Sequence, residues 1–174
     1  QTSLVGSEMC IRDRNNLEWF RKRNEKQSNL EAPIIRKPFF CSGCPHNSSL
    51  KVPEGKRALG GIGCHYMAVD SIESTEFFTQ MGGEGTPWIG IAPFSHEKHV
   101  FANLGDGTYK HSGILAIRAS LDANVNITYK ILYNDAVAMT GGQEIGSNWD
   151  VEGIVKQVLA EGVKKVSILS EDPK

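Results

Sequence analysis

The chain has 174 residues, 40% hydrophobic and 22% charged, with a formal net charge of −1 at pH 7. That length supports one domain with a full core, and a pI of about 6.6 excludes the basic stripe that a nucleic-acid partner requires. No apolar run approaches the roughly 18 residues of a membrane-spanning helix, and four cysteines are too few for a secreted disulfide scaffold, so the expected compartment is reducing and cytoplasmic.

Residues 1–14, QTSLVGSEMCIRDR, have no helical or strand period, no secretory apolar core and no amphipathic Arg/Ser pattern. They read as a non-native leader resembling a translated adapter, and Cys10 is set aside with them. On that reading the chain is a fragment of a longer protein. Residues 15–38 read as a linker. Its first half is a charged helix anchored by Leu17, Phe20 and Leu30, and Ala32-Pro33 and Lys37-Pro38 break it. Arg21, Lys22 and Arg23 belong to a solvated face. The domain proper is expected over 39–174, truncated at its C-terminal end.

Phe39 to Ser49, FFCSGCPHNSS, contains Cys41-x-x-Cys44. Three chemistries use such a pair. A thioredoxin-like site wants it at a helix start after a strand, and no such pattern follows. A zinc site wants a second pair of ligands, which the sequence does not offer nearby. An iron–sulfur site wants further thiolates, and Cys64 is one. His46 beside the pair is a pocket donor, a ligand or a loop residue. Arg57 to Ile62 reads as a strand entering Gly60-Gly61-Ile62-Gly63-Cys64-His65. Tyr66 occupies the place of a dinucleotide fingerprint's third glycine, so the turn is read as a cradle for another cofactor. A helix is expected to begin near Tyr66. Met81-Gly82-Gly83-Glu84-Gly85 reads either as a loop lying against a planar ligand or as a glycine-rich surface turn. His96 and His99 read as polar surface.

The stretch from Phe101 to Gln143 organises the rest. Val100, Phe101 and Leu104 form an apolar run that stops at Gly105-Asp106-Gly107. Ile114, Ile117 and Leu121 recur at helical spacing between His111 and Ala123. Val125 to Tyr133 is β-branched and aromatic, as a buried strand is. Strand, crossover helix and strand make a βαβ unit with parallel strands, which brings the Asp106 and Asn134 turns together at the strands' carboxyl edge. A carboxylate and an amide oxygen are hard ligands suited to Mg²⁺ or Ca²⁺, and Mg²⁺ completes its shell with substrate phosphates. The glycines and a helix start near Thr108 admit a phosphate closely. A magnesium diphosphate meets both requirements. Beyond Gln143, Val151 to Glu161 has a helical apolar face, Gly162 ends it, and Val163 to Leu169 reads as one more strand of the same sheet.

Gly105-Asp106-Gly107 followed by the polar turn at Asn134 resembles the thiamine diphosphate motif. With FCSGCPHN, GGIGCHYM, FTQMGGEG, FANLGDGTYKHSG and YKILYNDAVAMTGGQ, the stretch from Leu17 to Pro173 resembles the large fused bacterial indolepyruvate:ferredoxin oxidoreductases of the 2-oxoacid:ferredoxin oxidoreductase family. The resemblance implies an α/β fold, a mostly parallel sheet flanked by helices, holding the diphosphate end of thiamine diphosphate. It implies oxidative decarboxylation of an aryl 2-oxoacid with coenzyme A, giving acyl-CoA, CO₂ and reduced ferredoxin. By carry-over, Asp106 and Asn134 would hold Mg²⁺ with the Ala136 carbonyl. Gly105, Gly107 and Thr108 would line the diphosphate, and Gly63, His65, Gly82 and Gly83 the thiazolium side. Cys41, Cys44 and Cys64 match three positions of a [4Fe-4S] cluster, with no fourth cysteine downstream. The activating glutamate belongs to a pyrimidine-binding domain outside this chain, and Glu84 is not given that role. The whole protein is expected to be a homodimer, and the isolated segment inactive. A non-redox thiamine diphosphate decarboxylase or synthase would share Asp106 and Asn134 without needing the cysteines. A non-catalytic module with structural zinc would need only the cysteines.

Overall fold

The computed structural model describes residues 16–25, 37–72, 74–146 and 150–170. The leader at 1–14 and the Ala32-Pro33 break lie outside them. The chain divides into two units, Gln1–Lys37 and Pro38–Lys174. In the first, residues 16–25 form one exposed helix, α1, with Trp19 packed edge-on against Phe20 (centroids 5.0 Å apart) and Arg23 over the Trp19 ring.

The second unit is built on four parallel strands in the order β2-β1-β3-β4, comprising β1 (Ala58–Gly60), β2 (Thr75–Phe78), β3 (Val100–Gly105) and β4 (Ile127–Leu132). Short helices α2 (His46–Ser49), α3 (Ala68–Ser71) and α4 (Thr86–Ile91) lie between or before them. The long crossover α5 starts at Asp106 and runs through Asp106–Thr108, a π-helical turn at Tyr109–Gly113 and Ile114–Asp122. A two-stranded ribbon, β5 (Ala136–Val137) with β6 (Gln143–Glu144), and helix α6 (Val151–Ala160) follow. This is the expected α/β architecture. The glycine-rich stretch at Phe77–Phe94 holds more regular structure than expected, the end of β2 and all of α4. Among the described residues no helix is long and apolar enough to cross a membrane.

Pairing of β3 with β4 runs unbroken from Val100↔Ile127 to Gly105↔Leu132. Alternation then sends Leu104, Tyr129 and Ile131 to one face. There they pack with Tyr109 and Ile117 of α5 and with Ile154 and Val158 of α6. Leu59 and Val100 bury against Trp88 of α4 on that face, and the Trp88 indole donates to the Asn126 carbonyl at 3.0 Å. The opposite face carries Phe101 and Lys130. It is covered by a smaller cluster of Phe40, Leu50 and Ala68, and Lys130 Nζ donates to the carbonyls of Ser49 and Lys51.

α6 begins where Asp150 accepts a hydrogen bond from the Gly153 N–H at 2.7 Å. That satisfies one of the donors a helix start leaves unpaired. Asp150→Ala is expected to lower stability by about 1 kcal/mol, read from the urea midpoint, and an unchanged midpoint would show that the cap contributes nothing. The strand expected at Val163–Leu169 does not form, and these residues pair with no strand. Val163 and Val166 pack on the core, while Ile168 and Leu169 stay exposed. The apolar residues therefore mark a segment that half-buries two valines without joining the ladder.

Candidate functional site

In a sheet ordered β2-β1-β3-β4 the chain leaves β1 toward one edge for β2 and toward the other for β3 and β4. The crevice at the carboxyl ends of β1 and β3 is that reversal point, where open α/β sheets take ligands. Gly61 to His65 follow β1 there, and Asp106 follows β3.

Asp106 is 5% exposed and joins the two turns directly. Its Oδ2 accepts the N–H groups of Asn134 at 2.8 Å and Asp135 at 2.7 Å, and its Oδ1 accepts the Gly107 N–H at 2.8 Å. Asp135 adopts a positive φ of 55°, uncommon for a non-glycine residue, and two successive N–H groups converge on one oxygen there. Asn134 Oδ1 accepts the Ala136 N–H at 3.1 Å. An ionised carboxylate has about four lone-pair sites. Three are taken, so Asp106 retains acceptor capacity, and so does the Asn134 amide oxygen. Two hard oxygens held by backbone hydrogen bonds fit a small divalent cation. The Ala136 carbonyl is in the next residue but one, in the β5–β6 ribbon.

The glycines of these turns lie against protein. A Cβ on Gly107 would lie 3.1 Å from Val137, and one on Gly105 would lie 3.4 Å from His65 Cε1. Thr108 is buried, and its hydroxyl donates to the Ile62 carbonyl at 3.5 Å, tying the start of α5 to the loop after β1. Gly82 has φ 90°, and a Cβ there would come within 2.4 Å of Ser112 Oγ, whereas Gly83 lies against Gln80. These two glycines therefore bring the loop after β2 onto α5 and onto itself. A Cβ on Gly63 would meet the His65 ring at 2.6 Å.

His65 is 2% exposed and its Nε2 has no partner. Burial, with a smaller contribution from the His46 charge, pushes its pKa down to about 4. The two rings stand nearly perpendicular with centroids 6.4 Å apart. Glu84, which sequence reasoning set aside, is fully buried. Its Oε2 accepts the Gly82 N–H at 2.8 Å, and its Oε1 has no partner. Burial pushes this carboxyl up, against partial relief from backbone N–H groups. A single glutamate in a glycine loop carries no sequence signal for burial. Asn103 is buried in β3 with both side-chain polar atoms unpartnered.

The unfolded chain protonates histidine below 6.5 and folded His65 only near 4, so the unfolded state binds more protons between those values and stability falls as pH drops. The difference corresponds to roughly 3 kcal/mol for this residue. Raised Glu84 acts oppositely, losing its contribution as pH rises above 4.5. The lowered His46 and His99 add to the histidine side. The urea midpoint is expected to be lower at pH 5 than at pH 7.5, with the gap narrowing in His65→Gln. An equal gap in both proteins would exclude His65 as the source.

Cys41 is exposed, and Cys44 and Cys64 are half-buried, all three as free thiols. Burial, then the nearby Cys44 and Cys41, raise the Cys64 thiol. The three thus share a neighbourhood. Among the described residues, though, no group of three or more His, Cys, Asp or Glu side chains stands close enough to hold a metal ion. The thiols as placed do not fit a cluster or a zinc ion.

Residues 61–165 match the family model described as "Thiamine pyrophosphate enzyme, C-terminal TPP binding domain". The match starts at the loop after β1 and includes both turns. The chain is 27% identical over 164 residues to the indolepyruvate oxidoreductase subunit IorA of Thermococcus kodakarensis, covering 83% of this chain and 25% of that protein. It is 29% identical over 151 residues to the same subunit of Archaeoglobus fulgidus, covering 76% and 24%. It spans about a quarter of the length of these curated relatives. No solved structure matches it. With the Asp106 turn, the β1–β3 crevice and the matched residues 61–165 in agreement, the chain belongs to the thiamine pyrophosphate enzymes, as their C-terminal TPP-binding domain.

Proposed function

We propose that this chain supplies the magnesium and diphosphate side of the thiamine diphosphate site in an oxidoreductase that oxidatively decarboxylates aryl 2-oxoacids, indolepyruvate among them. The observation that carries the reading is the Asp106 carboxylate, buried at the crevice and hydrogen-bonded to the backbone of the Asn134 turn. Asp106, Asn134 and the Ala136 carbonyl would hold Mg²⁺. Gly105, Gly107 and Thr108 would line the diphosphate, and Gly63, His65, Gly82 and Gly83 the thiazolium side. Bound thiamine diphosphate supplies an acidic thiazolium carbon able to add to a keto group and to accept the electron pair left by departing CO₂. This chain's own share is to bind, orient and exclude water. His65, neutral at pH 7 because burial depresses it, presents an imidazole without positive charge at the crevice.

The identity to the IorA subunits supports the redox reading over a plain decarboxylase. On it, coenzyme A accepts the acyl group and ferredoxin the electrons. The pyrimidine-binding domain, with its activating glutamate, lies in the part of such proteins that this chain does not span, and the whole assembles as a cytoplasmic homodimer. Cys41, Cys44 and Cys64 become iron–sulfur ligands only with a rearrangement and a fourth ligand from elsewhere. The test is calorimetric titration with thiamine diphosphate, with and without Mg²⁺, on anaerobically purified protein assayed for iron. Magnesium-dependent binding supports the site. Binding indifferent to Mg²⁺ would overturn it, and stoichiometric iron would place the cluster here. No turnover of indolepyruvate is expected from this chain alone.

A further inference from the structure

We propose that Lys110 is a positioning residue for the cation side of the site: from α5 it moors the far end of the β5–β6 ribbon, and with Val137 it seats that ribbon on the Asp106–Gly107 turn. The mooring stands on contacts within this chain, and its effect on cofactor binding rests on the function proposed above.

At its near end the ribbon is fastened to the turn by the Asp106 carboxylate, which accepts the Asn134 and Asp135 N–H groups. β5 starts at the next residue, Ala136, whose N–H is taken by Asn134 Oδ1. Two further contacts hold the rest. A Cβ on Gly107 would lie 3.1 Å from Val137 Cγ2 and 3.8 Å from Ile145 Cδ1. One side chain from β5 and one from just beyond β6 therefore bear on the first turn of α5. Lys110 follows Asp106 by four residues on the same helix, and its Nζ donates to the Ile145 carbonyl. Gly146 makes room for that ammonium: it adopts φ 106°, and a Cβ there would lie 2.8 Å from Nζ. Among the described residues no carboxylate competes for Lys110 in an ion pair.

The consequence falls on Asn134 and Ala136. Ala136 belongs to a ribbon only two residue pairs long, and Asn134 lies just before it. A two-stranded ribbon by itself is marginally stable at best in water, so this one keeps its position only where other groups fix it. With both ends fastened to α5, the Ala136 carbonyl is held in one direction relative to the Asp106 carboxylate. Mg²⁺ demands near-ideal octahedral geometry, and a ligand on a loose ribbon meets that demand poorly. Lys110 acts through the ribbon and touches neither metal nor diphosphate itself.

The experiment uses ¹⁵N-labelled chain and compares wild type with Lys110→Met, Lys110→Arg and Val137→Ala, by backbone NMR and by thiamine diphosphate titration with and without Mg²⁺. Lys110 is exposed, so its variants are expected to retain the fold. Lys110→Met is expected to move the amide signals of Val137, Ile145 and Gly146 and to weaken magnesium-dependent affinity about fivefold. Lys110→Arg keeps a cationic donor and is expected to restore affinity to within about twofold. Val137→Ala leaves every charge in place and is expected to weaken affinity about threefold. Unmoved Ile145 and Gly146 signals in Lys110→Met, or wild-type affinity in that variant, would overturn the proposal. So would a loss in Lys110→Met that added salt abolishes and Val137→Ala does not share, because simple attraction of the diphosphate to the ammonium would then account for it. Moved signals in Lys110→Met with no magnesium-dependent binding by the wild type would support the mooring and overturn the function proposed above.

Discussion

Asp106→Ala is expected to abolish magnesium-dependent binding of thiamine diphosphate while the chain still folds. The carboxylate does two things at once. It offers the anionic oxygen a hard cation needs, and it accepts three backbone N–H groups from two separate turns. Hydrogen bonds to a charged acceptor contribute about 1.5–3 kcal/mol each. Their loss here is partly recovered by water, because Asn134 and Asp135 are exposed. A stability loss of about 2–4 kcal/mol is expected, below what three independent bonds would sum to. Asp106→Asn separates the roles. It keeps the shape and one acceptor oxygen but loses the charge, and its NH₂ group faces donors. Affinity in Asp106→Asn should fall about a hundredfold, with a stability loss smaller than in alanine. Calorimetry at matched Mg²⁺, repeated with a chelator, measures the first effect and urea denaturation the second. Wild-type affinity in Asp106→Ala would mean the cation ligands lie elsewhere.

The second large effect lies directly under that turn. Leu104 is fully buried at the end of β3, and a Cβ on Gly113, in the π-helical turn of α5, would lie 2.8 Å from Leu104 Cδ1 and 3.2 Å from the Thr108 carbonyl. Leucine fills the notch that glycine leaves. Leu104→Ala is expected to cost about 2–5 kcal/mol through lost transfer energy and a residual cavity. Gly113→Ala is expected to cost about 1–3 kcal/mol by overpacking the same place. In the double variant the added methyl enters space the leucine vacated, so the combined loss should fall short of the sum by 0.5 kcal/mol or more, about the coupling seen between touching residues. Urea denaturation of the four proteins closes the cycle, and strict additivity would show that the notch is not a contact. Because the notch seats the first turns of α5, Leu104→Ala is also expected to weaken cofactor binding.

Local chemistry made the centre of the domain legible without coordinates. Val100 to Leu104 stop at Gly105-Asp106-Gly107, Ile114, Ile117 and Leu121 recur at helical spacing, and the next strand is β-branched and aromatic. Each signal spans only neighbours in the chain. A βαβ unit has one favoured hand, so the closeness of Asp106 to the Asn134 turn followed from order alone. The resemblance to thiamine diphosphate proteins rested on the same residues. Residue type was less decisive at Val163–Leu169, because β-branched and apolar residues describe burial and not pairing. Val163 and Val166 are partly buried against the core, yet no ladder forms.

What tertiary structure alone decided is where residues from separate loops meet. Gly61 and His65 follow β1 and Glu84 follows β2, and parallel pairing of β1 with both β2 and β3 brings the Glu84 and His65 side chains against Gly61. No spacing in the chain encodes that distance. Glu84 therefore looked like a loop residue, although it is fully buried. Gly82 and Gly83 also bring their loop onto Ser112 and Gln80, contacts that no spacing in the chain announces. The Cys41-x-x-Cys44 spacing is set by four consecutive residues. Whether Cys64 completes a metal site depends on how the loop after β1 packs against α2, and as packed the three thiols share a neighbourhood without forming a ligand set. By itself the sequence determined the domain's class and its acidic turn, because those depend on contiguous residues. The company that turn keeps depends on long-range contacts between loops, which only the folded sheet brings into register.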